Sequence, residues 1–268
     1  MHLTAGGHRL EYRIVEPRGA RARQRTMIVL LHEGLGSVAM WKDFPDALVA
    51  RTGHPVLVYS RHGHGQSAQL TQPRHVDYMH HEATTVLPEL LSQLEVRNPL
   101  LIGHSDGASI AIIHAGSGSG SGSGNAVSGL ILMAPHVFVE QVSIDAIAEA
   151  KRTFETTDLA AKLARYHNHP ESMFPGWNDI WLHPDFRDWN IEHFLPAIHS
   201  PLLVIQGQND PYGTLAQVDA IEQSAGGPVK KLVLPDCGHS PHIDCREKMI
   251  EVVDAFLRES DSTAELVG

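Results

Sequence analysis

The chain has 268 residues, 42% of them hydrophobic and 19% charged, a balance that excludes a disulfide-stapled mini-protein and a mostly disordered chain. Thirty-one acidic residues against 21 basic ones leave a formal charge of -10, so no electrostatic footprint for a phosphate backbone exists and nucleic acid is excluded as a partner. No apolar run approaches the roughly 18 residues of a membrane span.

The amino terminus, MHLTAGGHRLEYRIVEP, lacks the basic and apolar stretches of a secretion signal. The two cysteines, Cys237 and Cys245, have no paired metal or redox spacing. A cytoplasmic, reducing setting is therefore expected, with no membrane partner.

In chain order, β-rich runs are expected at 9–15, 27–32, 56–60, 100–103, 129–133, 202–206 and 231–234, and helices at 40–51, 78–94, 105–114, 215–225 and 246–259. This alternation predicts βαβ units, and thus an α/β class with a mostly parallel, doubly wound sheet. Runs such as MIVLL, PLLIG and LLVIQ are apolar throughout, which marks central strands covered on both faces.

Two segments interrupt the pattern. Residues 116–124 spell GSGSGSGSG, expected to be a flexible surface loop. Residues 135–196 carry no strand signal, contain an expected helix at 144–165, and end in an aromatic-rich piece with Trp177, Trp181 and Trp189. An insertion of that size reads as a helical cap over a core made of 1–134 and 197–268.

The run Leu100 to Ile102 leads into Gly103-His104-Ser105-Asp106-Gly107 and then an apolar helical stretch. This places G-x-S-x-G in the strand, turn and helix context that holds a serine hydroxyl exposed above a sheet. A hydroxyl is a poor nucleophile without a base and a group to orient that base. Asp210 follows the strand PLLVIQ and His239 follows KLVLP, each in a loop at a strand's carboxyl end. The order Ser105, Asp210, His239 matches nucleophile, acid and histidine in hydrolases that use this turn. Asp236 and Asp106 are the rival acids and His242 the rival base. Asp236 sits too close to His239 along the chain, Asp106 opens a helix, and His239 directly follows a glycine after a strand.

These motifs resemble those of the α/β-hydrolase superfamily, and the resemblance covers nearly the full chain. LLHEGLGSVAMW resembles its H-G-x-x-G loop and YSRHGHGQS its D-x-R-G-x-G-x-S loop, with Glu33 where glycine is usual and Ser60 in place of aspartate. The resemblance implies an α/β-hydrolase fold and an oxyanion hole made by the backbone N–H groups of Gly34 and Asp106. It implies a serine hydrolase acting on small to medium carboxylic esters, lactones or activated amides through an acyl-enzyme. The alternatives are carbon–carbon bond hydrolysis, acyl transfer, or a hydrolase-fold receptor with little turnover.

Pocket candidates are Glu33, His104 and Asp106 beside the serine, and Trp177, Trp181 and Trp189 from the insertion. Asp106 has two readings, a helix-opening carboxylate or a selector of cationic substrates. The three tryptophans either pack between cap and core or wall an acyl pocket. The 19 histidines include H-G-H at 62–64, a pair at 80–81 and H-N-H at 167–169, but neither H-x-H-x-D-H nor H-E-x-x-H is spelled, so no metal and no organic cofactor is expected.

Overall fold

β1 (His2–Ala5), β2 (His8–Val15), β3 (Ile28–Leu31), β4 (Val56–Tyr59), β5 (Leu100–His104), β6 (Gly129–Met133), β7 (Leu202–Gly207) and β8 (Val229–Leu234) form one sheet in the order β1-β2-β4-β3-β5-β6-β7-β8. This computed structural model describes residues 1–17, 25–118 and 126–267. β1, β2 and β4 pair antiparallel at one edge, and every pair from β4 across to β8 is parallel. The helices are α1 (Phe44–Thr52), α2 (Tyr78–His81), α3 (Leu87–Gln93), α4 (Asp106–Gly116), α5 (Gln141–Thr156), α6 (Leu159–Leu163), α7 (Pro170–Trp181), α8 (Leu215–Ser224), α9 (Pro241–Asp244) and α10 (Arg246–Val267).

The strand period of two distributes the apolar runs to both faces. Ile28, Leu30, Val56, Val58, Leu100 and Ile102 join Phe44 and Leu48 of α1 and Val253 and Phe256 of α10. Val29, Leu31, Leu57 and Leu101 point the other way, toward Met79 of α2, Leu90 of α3, Ile110 of α4 and Ile221 of α8. Each fully buried aliphatic contributes roughly 2 kcal/mol, so the two clusters fix the register of the central strands.

Where the structure departs from the sequence pattern, local chemistry gives the reason. β1 was not expected, because HLTA is short and polar; it is created by the turn at Gly6 and Gly7, whose φ of +58° and +76° closes a hairpin onto β2. The expected helix at 78–94 is interrupted by a π turn, Glu82–Val86, which ends two residues before Pro88, a residue with no N–H to give. The helix expected at 144–165 is two helices. Thr157 is extended and ends α5, and its hydroxyl accepts from the Leu159 N–H at 3.2 Å, two residues on, in the turn that leads into α6. α7 was missing from the sequence reading because Pro175 lies inside it, although Pro170 stands in its first turn, where proline is tolerated.

Between β6 and β7 the described chain holds α5, α6 and α7, short 3-10 turns and one isolated bridge between Phe138 and Asn190. Most of the Gly/Ser-rich stretch, from residue 119 on, lies outside the described residues. Among the described residues no helix is long and apolar enough to cross a membrane.

Candidate active site

Ser105 follows β5 at φ +52° and ψ -118°, a conformation few non-glycine residues adopt. Its neighbours must be small. A Cβ at Gly103 would stand 2.4 Å from the Gly107 carbonyl oxygen, and one at Gly107 would stand 2.1 Å from that of Leu31. The two glycines thus let α4 start hard against β3 and β5, and the strained turn raises Ser105 at the carboxyl edge of a central strand. Ser105 is 7% exposed and faces a cavity of about 310 Å³.

Asp210 and His239 come from the loops after β7 and β8. A Cβ at Gly207 would meet the Gly238 carbonyl oxygen at 2.1 Å, so bare backbone brings these loops together. His239 donates from Nδ1 to both carboxylate oxygens of Asp210, at 2.9 and 2.8 Å. Gln206 Nε2 and the Tyr212 N–H also donate to that carboxylate, each at 2.8 Å. Burial pushes the Asp210 pKa up, but the His239 hydrogen bond and charge and the Tyr212 amide outweigh it, and the carboxyl stays below its ordinary range. His239 lines the same cavity as Ser105.

The rival residues are engaged elsewhere. Asp236 is exposed in the turn after β8. His242 packs against Trp41, with ring centroids 4.6 Å apart, and burial drives its pKa down to about 3.

Glu33, Gly34, Asp106, Trp177 and Trp181 all line the cavity. Gly34 is held close to the insertion: a Cβ there would fall 2.0 Å from Trp177 Nε1. Asp106 opens α4, so its N–H is among the helix's first-turn donors that find no partner within the helix. Its carboxylate accepts from Tyr78 Oη at 2.6 Å and Trp181 Nε1 at 3.3 Å, and Arg61 Nη2 stands 3.6 Å away. With 1% of that side chain exposed and these three groups around it, the contacts of Asp106 favour the helix-opening reading over that of a selector of cationic substrates.

Two pocket candidates, His104 and Trp189, are corrected. His104 does not line the cavity. It lies beneath it, donating from Nε2 to the His239 carbonyl oxygen at 2.6 Å, with Nδ1 3.5 Å from Glu33 Oε2. Trp189 is also outside the lining, stacked on Phe186 with centroids 5.3 Å apart. Of the three tryptophans, Trp177 and Trp181 wall the cavity and Trp189 packs behind them.

Glu33 is the most exposed charge in the wall, with 23% of its side chain accessible. Burial raises its pKa, but the pull of His104, 3.5 Å away, and of His242 more than reverses this and holds it at about 2. Among the described residues no lysine or arginine lines the cavity, and His136, which does, is pushed down to about 4 by burial. Sequence reasoning missed His136 and Tyr212, both in loops just after strand ends, and Met40, Ile147, Leu159 and Leu163, which supply apolar wall. The rule that ligands sit beyond the carboxyl ends of the strands would have found the first two.

The histidines outside this site are dispersed in other work. His62 stacks on His8 at 3.6 Å, His80 lies near Phe194, and His64 and His167 bond backbone carbonyls. Ser60, in the loop after β4, donates to Glu11 Oε2 and accepts from the Val38 N–H, each at 2.8 Å, so Glu11 brings a carboxylate to that loop from β2.

A model of the alpha/beta hydrolase family matches residues 28–252. Among curated proteins, proline iminopeptidase of Lactiplantibacillus plantarum is 29% identical over 62% of this chain and 59% of its own length. The sn-1-specific diacylglycerol lipase ABHD11 of Danio rerio is 32% identical over 42% of this chain and 32% of its own. The chain thus spans less than two thirds of these relatives. Among solved structures, that of VinJ superposes with a TM-score of 0.76 at 24% identity, covering 97% of this chain and 98% of that one. The Exiguobacterium antarcticum esterase gives 0.72 at 18% identity, covering 96% and 98%.

Proposed function

The chain belongs to the alpha/beta hydrolase family, and from that premise we propose that it is a serine hydrolase that cleaves small to medium carboxylic esters through an acyl-enzyme. The observation that carries the reading is the strained Ser105 facing the same cavity as the His239–Asp210 pair.

In this mechanism Ser105 Oγ attacks the ester carbonyl while His239 Nε2 takes its proton. Asp210 fixes the ring through Nδ1 and stabilises the imidazolium that forms. The carbonyl electrons move onto oxygen, where the N–H groups of Gly34 and Asp106 receive the charge, aided by the positive end of α4. Collapse expels the alkoxide, which takes the proton from His239. Water, activated by the same imidazole, then releases the acid from Ser105. Each step uses the chain's own groups and draws on no metal or organic cofactor.

The cavity supports a modest substrate. Its apolar wall of Leu35, Met40, Ile147, Leu159, Leu163 and Trp177 suits an acyl chain, while His136, Tyr212 and Ser240 offer polar contacts. Residues 135–196 serve as the cap over a core of 1–134 and 197–268, because α5 to α7 contribute most of that apolar wall.

The test is a p-nitrophenyl ester panel from acetate to octanoate with wild type and Ser105→Ala. Turnover that peaks at short to medium chains and vanishes in Ser105→Ala supports the reading. A folded protein that cleaves none of them contradicts it.

One observation favours a second reading. The ionised Glu33, in a cavity wall that holds no lysine or arginine among the described residues, suits a substrate carrying an ammonium group near the scissile carbonyl, an amino-acid ester or amide. Such chemistry is in keeping with the iminopeptidase name of one relative.

A further inference from the structure

Four consecutive carbonyl oxygens in the loop after β3 are held by donors from elsewhere in the chain. Arg61 Nη1 donates to His32 O, and Arg61 Nη2 to Glu33 O at 3.0 Å. His32 Nδ1 also reaches Glu33 O, at 2.6 Å; His64 Nε2 reaches Gly34 O at 3.0 Å; His167 Nε2 reaches Leu35 O at 3.0 Å.

The proton positions follow from the partners. The Arg61 N–H donates to His32 Nε2 at 3.1 Å, Arg74 Nη2 to His64 Nδ1 at 3.3 Å, and the Gly65 N–H to His167 Nδ1 at 2.9 Å. His32 and His167 each accept on one nitrogen and donate from the other to a loop carbonyl, which defines one neutral tautomer for each, whereas His64 Nδ1 also lies 3.2 Å from the His62 carbonyl oxygen.

His167 differs from the other two in origin. It lies between α6 and α7, in the insertion, and the next residue adds a second tie, from the Asn168 N–H to Gly65 O at 2.9 Å. Its partner belongs to the Leu35–Gly36 peptide. That unit is planar, so fixing its carbonyl fixes the Gly36 N–H, which donates to Glu33 O at 3.1 Å. The Glu33 carbonyl is in turn the other half of the peptide whose N–H is Gly34. Two planar units therefore connect His167 to the amide placed at the oxyanion.

We propose that His167 is a positioning residue for the oxyanion amide of Gly34, so that the insertion contributes to catalysis through this imidazole as well as walling the cavity. The proposal rests on the acyl-enzyme reading above. A buried staple that served only stability would make the same hydrogen bonds, so the test must separate the two.

His167→Leu removes both bonds at similar bulk, and His167→Gln keeps one donor and one acceptor. The readouts are kcat and KM on p-nitrophenyl butyrate, Tm, and binding of a trifluoromethyl ketone, whose serine adduct presents an oxyanion, against the plain methyl ketone of the same chain. His167→Leu should lower kcat about 10- to 100-fold with KM within about twofold. It should weaken the fluorinated ketone by the same factor and leave the plain ketone unaffected, and His167→Gln should recover most of the loss.

Should His167→Leu fail to fold, His167→Asn, polar but too short to reach Leu35 O, must show the same loss. A fall in Tm with kcat and fluorinated-ketone binding unchanged overturns the proposal, as does equal weakening of both ketones. If wild type treated with a fluorophosphonate gives no adduct on Ser105, the acyl-enzyme reading fails instead, which keeps the two failures distinct.

Discussion

The Nδ1–H of His239 is shared between both oxygens of Asp210, at 2.9 and 2.8 Å, while the backbone carbonyl of His239 accepts from His104 at 2.6 Å. Both the ring and the loop of the proposed base are thus fixed. Asp210→Asn keeps the shape but offers the wrong partner for Nδ1–H, and should lower kcat by about 10⁴-fold with little change in KM, by analogy with other triads. Steady-state kinetics on a p-nitrophenyl ester check this. A loss below about tenfold would show that Asp210 does not orient the base.

Ser105 sits in strained backbone at φ +52°, a conformation that costs about 1–3 kcal/mol for a residue with a Cβ. Ser105→Gly should therefore abolish turnover yet raise stability by about 1 kcal/mol, the net of relieved strain and the greater chain entropy of glycine. Urea unfolding measures the difference. A clear loss of stability would mean that the turn is not strained in solution.

Gly34 and Trp177 are in contact across the cavity wall, where a Cβ on one meets the indole of the other at 2.0 Å. Gly34→Ala should displace the loop and lower kcat by about 100-fold, since a shift near 1 Å at a reacting centre has that effect. The double variant Gly34→Ala with Trp177→Ala should recover part of it, because the added methyl then has room. A double-variant cycle with no coupling would contradict the contact.

Buried neutral histidines give stability a defined pH dependence. His32 and His64 are held well below the ordinary histidine range by burial and the nearby Arg61 charge, and His167 is lowered by burial. A depressed histidine pKa disfavours protonation in the folded state, so the associated stability is fully present above the unfolded value near 6.5 and is lost as pH falls below it. Each such group contributes a slope of up to about 1.4 kcal/mol per pH unit in that range. Denaturant titrations between pH 8 and pH 5 should show stability level above 6.5 and falling below it; a flat profile would mean that these rings take up protons in the native state as readily as in the unfolded chain.

Glu33→Gln separates the two substrate readings. If its carboxylate recognises an ammonium group, the variant should lose roughly tenfold in kcat/KM on an alanine ester while leaving the propionate ester unchanged. Equal effects on both esters would confine Glu33 to its contact with His104.

The sheet was legible because its runs are apolar throughout, as in MIVLL and LLVIQ, and because Gly103 and Gly107 flank a serine between a strand and a helix. Ser105, Asp210 and His239 could be placed in the loops after β5, β7 and β8 from that pattern alone. The engagement of Asp106 by Tyr78 and Trp181, the approach of Trp177 to Gly34, and the reach of His167 to Leu35, 132 residues away, could not be read. Those contacts depend on how α2, α7 and the segment before α7 settle on the sheet, and no local spacing encodes that.

The chemical claim at the centre of this account is that one hydroxyl, that of Ser105, carries the acyl group. Treatment with a fluorophosphonate and intact-mass measurement, followed by peptide mapping, addresses it directly. The account predicts one phosphonyl group per chain, located on Ser105, absent from Ser105→Ala and accompanied by complete loss of ester turnover. A folded, active protein that takes no label, or a label that persists in Ser105→Ala, would contradict it.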